Sequence, residues 1–244
     1  MTEGSGMRRR AMGVDAAGKH GWVGVVVDAD GFVAALVAPT VAEVIALAES
    51  DPAAGADGGR LAAVGVDIPI GLVDGPSRSA DVAARAYVGP RRSSVFPAPH
   101  PSVVHLDDHA EVNRRLAALG RPGLSIQAFR LFPRIREVRE IAHDPRVVEV
   151  FPEAAFRAMA GEHLRTSKKT WNGSAERHTL LLQAHPAIDL PGDLGPAGGV
   201  PTDDVLDAAA AAWSAWRVAI GVAEAHGDEH EVDATNGRRI ALWV

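Results

Sequence analysis

Leu61–Leu72, LAAVGVDIPIGL, is an apolar run bounded by a Gly/Asp/Pro-rich stretch, and it breaks on Asp67 followed by Ile-Pro. A run of this length and β-branched content reads as a buried strand over 62–68. Residues 11–22, AMGVDAAGKHGW, do the same thing, since a short apolar run again ends on Gly-Val-Asp, at Asp15. Two core strands that each deliver a carboxylate at the same relative place form a pattern, and the elements around them decide what it means.

Working outward, residues 11–15, 21–28 and 31–37 read as three strands joined by DAAGKHG and DADG; the second connection is a hairpin signal of the Asp-Gly kind. TVAEVIALAES (40–50) reads as a helix with Thr40 as N-cap and Glu43 at the capping-box position. A loop over 51–60 then leads to the strand 62–68. Next come some sixty residues of helical and proline-punctuated sequence. They hold a helix around 79–87, a second over DDHAEVNRRLAALG, and a third beginning at the Ser125 cap and kinked at Pro133. RVVEVFP (146–152) is a fifth strand, EAAFRAMAG a helix stopped at Gly161, and SAERHTLLLQAH another helix. A long final helix follows, capped at Thr202, and RRIALWV is a last edge strand. The order β-β-β-α-β, helical insert, β-α-α is that of the ribonuclease H-like fold. The expectation is a single α/β domain over 11–244, with a mixed five-stranded sheet flanked by helices and a helical insertion at roughly 76–145. In that architecture strands one and four are neighbours, which brings Asp15 and Asp67 together at one end of the sheet.

Composition limits the chemistry. The chain has 244 residues, no cysteine and a formal net charge of −6. Thiolate zinc sites, disulfides and cysteine nucleophiles are therefore excluded. The absence of cysteine suits a reducing cytoplasm. Residues 1–10 read as a disordered lead: they are basic but lack the apolar core of a secretory signal. No stretch is long and apolar enough to span a membrane. Charge is unevenly distributed. Residues 76–180 hold 17 Lys+Arg against 11 Asp+Glu, and the remainder 8 against 20. An acidic frame around a basic middle suits carboxylates that hold a cation beside a surface that meets phosphates.

The final helix opens TDDVLDAAAAAW, which puts Asp204 and Asp207 at i and i+3 on one face, with Asp203 pointing elsewhere. Close carboxylates take up protons unless a cation sits among them. With no His/Cys ligand pattern, an all-oxygen set of Asp15, Asp67, Asp204 and Asp207 calls for a hard cation, Mg²⁺ or Mn²⁺. Such a set can serve two-metal phosphodiester hydrolysis. Glu153 sits at a strand-to-helix switch, where open sheets place ligands, and joins the candidates; Glu149 can face either surface of its strand. Each acid also has an ordinary structural role available to it: Asp15 as a turn residue, Asp67 as a strand terminator, Asp203 and Asp204 as helix-start acids and Glu43 as a cap. For phosphate contact the candidates are Arg78, Arg85, Lys168, Lys169 and Arg177, with Arg91 and Arg92 nearby and Trp171 as a stacking platform. There is no Walker loop, nucleophile elbow or dinucleotide fingerprint.

Several blocks resemble one family. They are GVDAAGKHGW, GVDIPIGL, RSADVAARAYVGPRRSSVFPAP (78–99), SIQAF with PRIREV (125–138), VVEVFPEAAFRAMAG (147–161), SKKTWNGSAERHTLL (167–181) and DDVLDAAAAAW. Together they resemble the domain-of-unknown-function family numbered 429, described as predicted nucleases of the ribonuclease H fold. The acidic pattern is similar to that of Holliday-junction resolvases, with Asp15 on strand one, an acid on strand four, and Asp204 and Asp207 on the last helix. Asp67 stands where those enzymes usually carry glutamate. The resemblance implies a metal-dependent nuclease acting on nucleic acid, and resolvase-like nucleases act as homodimers. Two other readings stand beside it. Actin-like ATPases and sugar kinases share the core but need two such domains and Gly-rich phosphate loops. A non-catalytic module that binds nucleic acid or protein would keep the acids as structural caps.

Overall fold

The computed structural model describes residues 9–50 and 59–244. The expected lead over 1–10 and loop over 51–60 therefore lie almost wholly outside the described residues. Strands β1 (Ala11–Ala16), β2 (Trp22–Asp28) and β3 (Gly31–Ala38) form an antiparallel meander. The tight returns fall at Gly21 and Gly31, whose φ values of 84° and 117° suit glycine alone. Helix α1 (Val41–Glu49) starts on the expected capping box: the Thr40 hydroxyl accepts from the Glu43 N–H, and the Glu43 carboxylate accepts from the Thr40 N–H. The chain then enters β4 (Ala63–Val66), which pairs in parallel with β1.

The segment after β4 is helical, as expected. It comprises α2 (Ser79–Val88), a 3₁₀ stretch (Gly89–Ser94), α3 (His109–Ala118), α4 (Ile126–Phe129) and α5 (Phe132–Ile141). Ser125 caps as anticipated, but Pro133 does not kink a continuous helix. The helix ends after Phe129 and Pro133 lies in the first turn of α5, where its missing N–H costs nothing. Strand β5 (Val147–Val150) pairs in parallel with β4 and is followed by α6 (Pro152–Ala160), closed at left-handed Gly161. Helix α7 (Trp171–Gln183) and the long α8 (Thr202–Ala219) complete the helices. Thr202 is not a side-chain cap; it is the first helical residue, preceded by Pro201, and Asp203 and Asp204 supply the first-turn acids instead.

The sheet has seven strands, not five, in the order β3-β2-β1-β4-β5-β7-β6. The extra members are β6 (Ala225–His226) and β7 (Leu242–Trp243). The expected C-terminal edge strand is β7, which is internal: it runs parallel to β5, and β6 closes the edge beyond it. The fold is thus a mixed α/β sheet flanked by helices.

Strand alternation separates two cores. On β1, Met12 and Val14 point into a layer with α1, α3 and α5, whereas Ala11 points to the face covered by α6, α7 and α8. Gly13 is on that second face. A Cβ there would stand 1.9 Å from the Ala212 N and 2.2 Å from the Ala208 O of α8, and one on Gly65 would stand 2.8 Å from the Ala211 O. Gly13 and Gly65 are register partners in the parallel pair. Two side-by-side glycines, met by the run Ala208–Ala212, let α8 lie directly on β1 and β4. Among the described residues none is long and apolar enough as a helix to cross a membrane.

Candidate functional site

The glycine contact explains the repeated Gly-Val-Asp. Two residues beyond each glycine, on the same face, come Asp15 and Asp67, and the Asp67 N–H donates to the Val14 O at 3.2 Å to carry the pairing to that level. Asp207 precedes Ala208, so the helix seated on the glycines delivers a third carboxylate to the same end of the sheet. The three aspartates line a cleft of about 500 Å³ together with Asp203, Asp204, Glu149, Glu153, Lys168 and Lys169. Asp203, expected to point elsewhere, borders the cleft as well.

Burial sets the electrostatics. Asp207 is 1% exposed and Asp15 9%. Desolvation pushes the Asp67 carboxyl up to about 8, and the neighbouring Asp207 adds to the rise. Asp15 is held well above the ordinary carboxylate range by burial and then by Asp67 and Asp207. Asp207 is raised by burial to about 6, with Lys168 opposing the rise. Half-buried Asp204 is raised by burial and by Asp203.

A single cation meets this group. Lys168 Nζ donates to Asp207 Oδ2. Burial acts to lower the ammonium's pKa, but Asp207, Asp67 and Asp15 together outweigh it and the net shift is upward. Asp207 Oδ1 is buried and has no hydrogen-bond partner among the described residues. Asp15 accepts from the Ala16 N–H at 2.7 Å.

The other basic candidates divide. Arg78 is 2% exposed and wholly engaged. It donates to Glu149 at 2.6 and 2.8 Å, to Asp81 and to the Gly71 O at 2.9 Å. Glu149 also accepts from the Ile70 N–H at 2.8 Å, so this knot fixes the loop that leaves Asp67. Arg177 is fully buried, and its Nη2 donates to both Glu153 oxygens at 2.8 and 2.9 Å. In this arrangement each neutralises a buried glutamate, Arg78 at the lining of the cleft and Arg177 behind Glu153. Arg85 lies on the outer side of α2 and donates to the Val95 O at 2.9 Å, shoring up the segment that brings Phe96 to the cleft, without lining the cleft itself. Lys168 and Lys169 line the cleft, and Trp171 beside them is 85% exposed.

The donor set is all oxygen, and Asp207 Oδ1 is buried without a hydrogen-bond partner among the described residues. The chemistry of the set therefore fits a hard cation. Among the described residues, however, no group of three His, Asp or Glu side chains is placed so that it could hold a metal ion as it stands. The Lys168 ammonium neutralises Asp207 in the present arrangement. Glu149 is the residue whose importance sequence reading underrated; the available signal was an acid inside a run of valines, opposite an arginine-bearing segment.

No curated protein and no solved structure matches the chain. A family model described as "Protein of unknown function (DUF429)" matches residues 13–232, and the chain belongs to that family.

Proposed function

We propose that this protein is a divalent-metal-dependent nuclease of ribonuclease H-like architecture, hydrolysing phosphodiester bonds of nucleic acid. The observation that carries the reading is the cluster Asp15, Asp67 and Asp207. Two of these acids, Asp15 and Asp207, are buried and Asp67 is partly so; two strands and a helix deliver them to one cleft, with raised proton affinity, an ammonium on Asp207 and an unpartnered oxygen. A scaffold gains nothing from such a cluster, which costs stability unless a further cation is bound. The adjacency of β1 and β4 at the centre of the sheet supports the ribonuclease H-like assignment.

Asp15, Asp67 and Asp207 would hold Mg²⁺ or Mn²⁺, with Asp204 from the first turn of α8 in reach of the same cleft. A divalent ion held there would supply the Lewis acidity for activating a water and for stabilising a leaving oxygen. The chain's own groups do the rest. Lys168 and Lys169 pair with the phosphate that enters the cleft. Glu153, anchored by Arg177, and Glu149, anchored by Arg78, keep the wall beneath it rigid.

A second reading has its own support. The Lys168–Asp207 pair and the lack of a formed three-ligand group suit a non-catalytic module that binds nucleic acid or protein. One experiment separates the two. The wild type and the Asp15→Asn and Asp207→Asn variants are incubated with labelled single-stranded, hybrid and branched substrates in millimolar Mn²⁺. The nuclease reading requires cleavage by the wild type and its loss in both variants, with folding intact by circular dichroism. Cleavage by neither, or by all three, sinks it.

A further inference from the structure

A second basic surface lies beside the carboxylate cleft, made by residues that sequence reading did not group. A shallow depression of about 740 Å³ is lined by Pro90, Arg91, Arg157 and the run Gly161–Arg165. It contains three arginines and His163, and one acid, Glu162. That acid is exposed and stands 4.0 Å from exposed Arg165, a separation at which a solvated pair contributes little. Neither Arg91 nor the terminal nitrogens of Arg157 have a carboxylate partner among the described residues.

The surface is built, not merely charged. The Arg157 guanidinium stacks 3.8 Å from the Tyr87 ring centroid, and its Nε donates to His163 Nδ1 at 3.3 Å. That bond makes Nδ1 the acceptor and leaves Nε2 as the N–H of a neutral ring. The imidazole in turn packs on Gly89, where an added Cβ would lie 2.7 Å from it, and the φ of 55° there independently calls for glycine. A stacked arginine with its two outer nitrogens free is pre-organised for the fork geometry of an oxyanion.

Two chain segments connect this depression to the cleft. Residues 90–96 line the depression at Pro90 and Arg91 and the cleft at Ser94, Val95 and Phe96. Residues 161–169 line the depression as far as Arg165 and the cleft at Lys168 and Lys169. Arg165 and Lys168 are three positions apart in the chain, so their Cα atoms are at most ~11 Å apart. That is within the reach of a neighbouring phosphate on an extended strand.

We propose that the Arg91–Arg157–His163–Arg165 depression binds a backbone phosphate of a nucleic-acid strand, flanking the phosphate that enters the carboxylate cleft. The cleft's part in this rests on the nuclease reading; the binding of the strand by the depression does not. Through it the strand runs along one side of the molecule, over Lys169 and Lys168 and on to the arginines.

The test is fluorescence anisotropy with 5′-labelled 20-nucleotide single-stranded DNA and RNA, in EDTA, across a salt series. Two variants are compared with wild type, Arg157→Gln and Arg91→Gln/Arg165→Gln; the second leaves the Tyr87 stack intact. Arg114→Gln, on the exposed surface of α3, controls for net charge. Binding at least about tenfold weaker in both test variants is expected. In the double variant the salt slope should also be about 1.4 shallower for two lost contacts on a single strand. Wild-type affinity and slope in both variants, or no binding of either oligonucleotide by wild type, overturns the proposal. Binding of inorganic phosphate alone, read by calorimetry at millimolar concentration, with no oligonucleotide affinity would make the depression a small-anion site and also overturns it. Cleavage is read separately in Mn²⁺. A protein that binds through these arginines but never cleaves keeps this inference and sinks the nuclease. One that cleaves with unchanged binding in the variants does the reverse.

Discussion

Lys168 and Asp207 form a one-sided ion pair in the carboxylate cleft: Nζ meets Oδ2, while Oδ1 of the same carboxylate is buried without a partner among the described residues. Lys168 also offsets part of the negative field at Asp15 and Asp67. Replacing it with methionine should leave three acids without their contacting cation. Because the lysine side chain is 31% exposed, the expected loss is about 2–3 kcal/mol, below the figure for a fully buried pair. Under the metal reading Mn²⁺ recovers part of that loss, raising the melting temperature of Lys168→Met more than that of wild type. Equal shifts in the two proteins would show that the ammonium and the cation do not share a site.

The same acids give a pH dependence whose sign is the reverse of ordinary acid denaturation. Asp67 at about 8 and Asp207 at about 6 hold protons in the folded state that the unfolded chain, near 3.8, has released. Between those limits the native state binds more protons, so stability falls as pH rises from about 4 and levels off above about 8. In EDTA the protein should melt at a higher temperature at pH 5.5 than at pH 8. Asp67→Asn should remove much of that slope and stabilise at pH 8 by about 1 kcal/mol, or roughly 2–4 °C. A wild-type melting temperature that rises from pH 5.5 to pH 8 in EDTA would contradict this.

The parts of this site that could be read from sequence were those encoded locally. The strand order and the Asp15–Asp67 adjacency follow from apolar runs and turn residues, and Asp204 and Asp207 follow from helical spacing. What escaped was decided by partners distant in sequence. Nothing local shows that Arg78 will close on Glu149, 71 residues away, or that Arg177 will be buried against Glu153. An arginine beside a phosphate and one beside a carboxylate look alike in a sequence. Strand β6, two residues long, is too short to carry a period. The glycines of Gly-Val-Asp were visible as a repeat, but their purpose, letting α8 touch the sheet, exists only once the helix is in place.

Burial of Arg177 gives a prediction that separates support from substrate contact. Its guanidinium holds both oxygens of Glu153, so Arg177→Met should destabilise by about 3–5 kcal/mol by leaving that carboxylate uncompensated. Arg177→Lys should recover little, because an ammonium cannot reproduce the two-oxygen contact. The double change Glu153→Gln/Arg177→Met should lie nearer wild type than Arg177→Met does. Urea unfolding of these four proteins and of Glu153→Gln closes the cycle and measures the coupling. Stability unchanged in Arg177→Met, with weakened binding of nucleic acid, would instead return this arginine to the substrate.

Gly13 tests the packing on which the whole site depends. An alanine there would put its Cβ 1.9 Å from a backbone nitrogen of α8, and backbone cannot rotate away as a side chain can. Either the helix lifts off β1 or the chain fails to fold. Gly13→Ala should therefore cost more than the ~1–3 kcal/mol usual for overpacking. Gly192→Ala, where an added Cβ meets nothing within 4 Å, is the control and should be close to neutral. A partly folded Gly13→Ala is the informative case. Lifting α8 moves Asp207 away from Asp15 and Asp67, so the Mn²⁺-dependent rise in melting temperature should vanish even where secondary structure survives. A Gly13→Ala protein with wild-type stability and an intact Mn²⁺ response would mean that α8 does not rest on the glycines, and the geometric reason for the paired Gly-Val-Asp strands would fall with it.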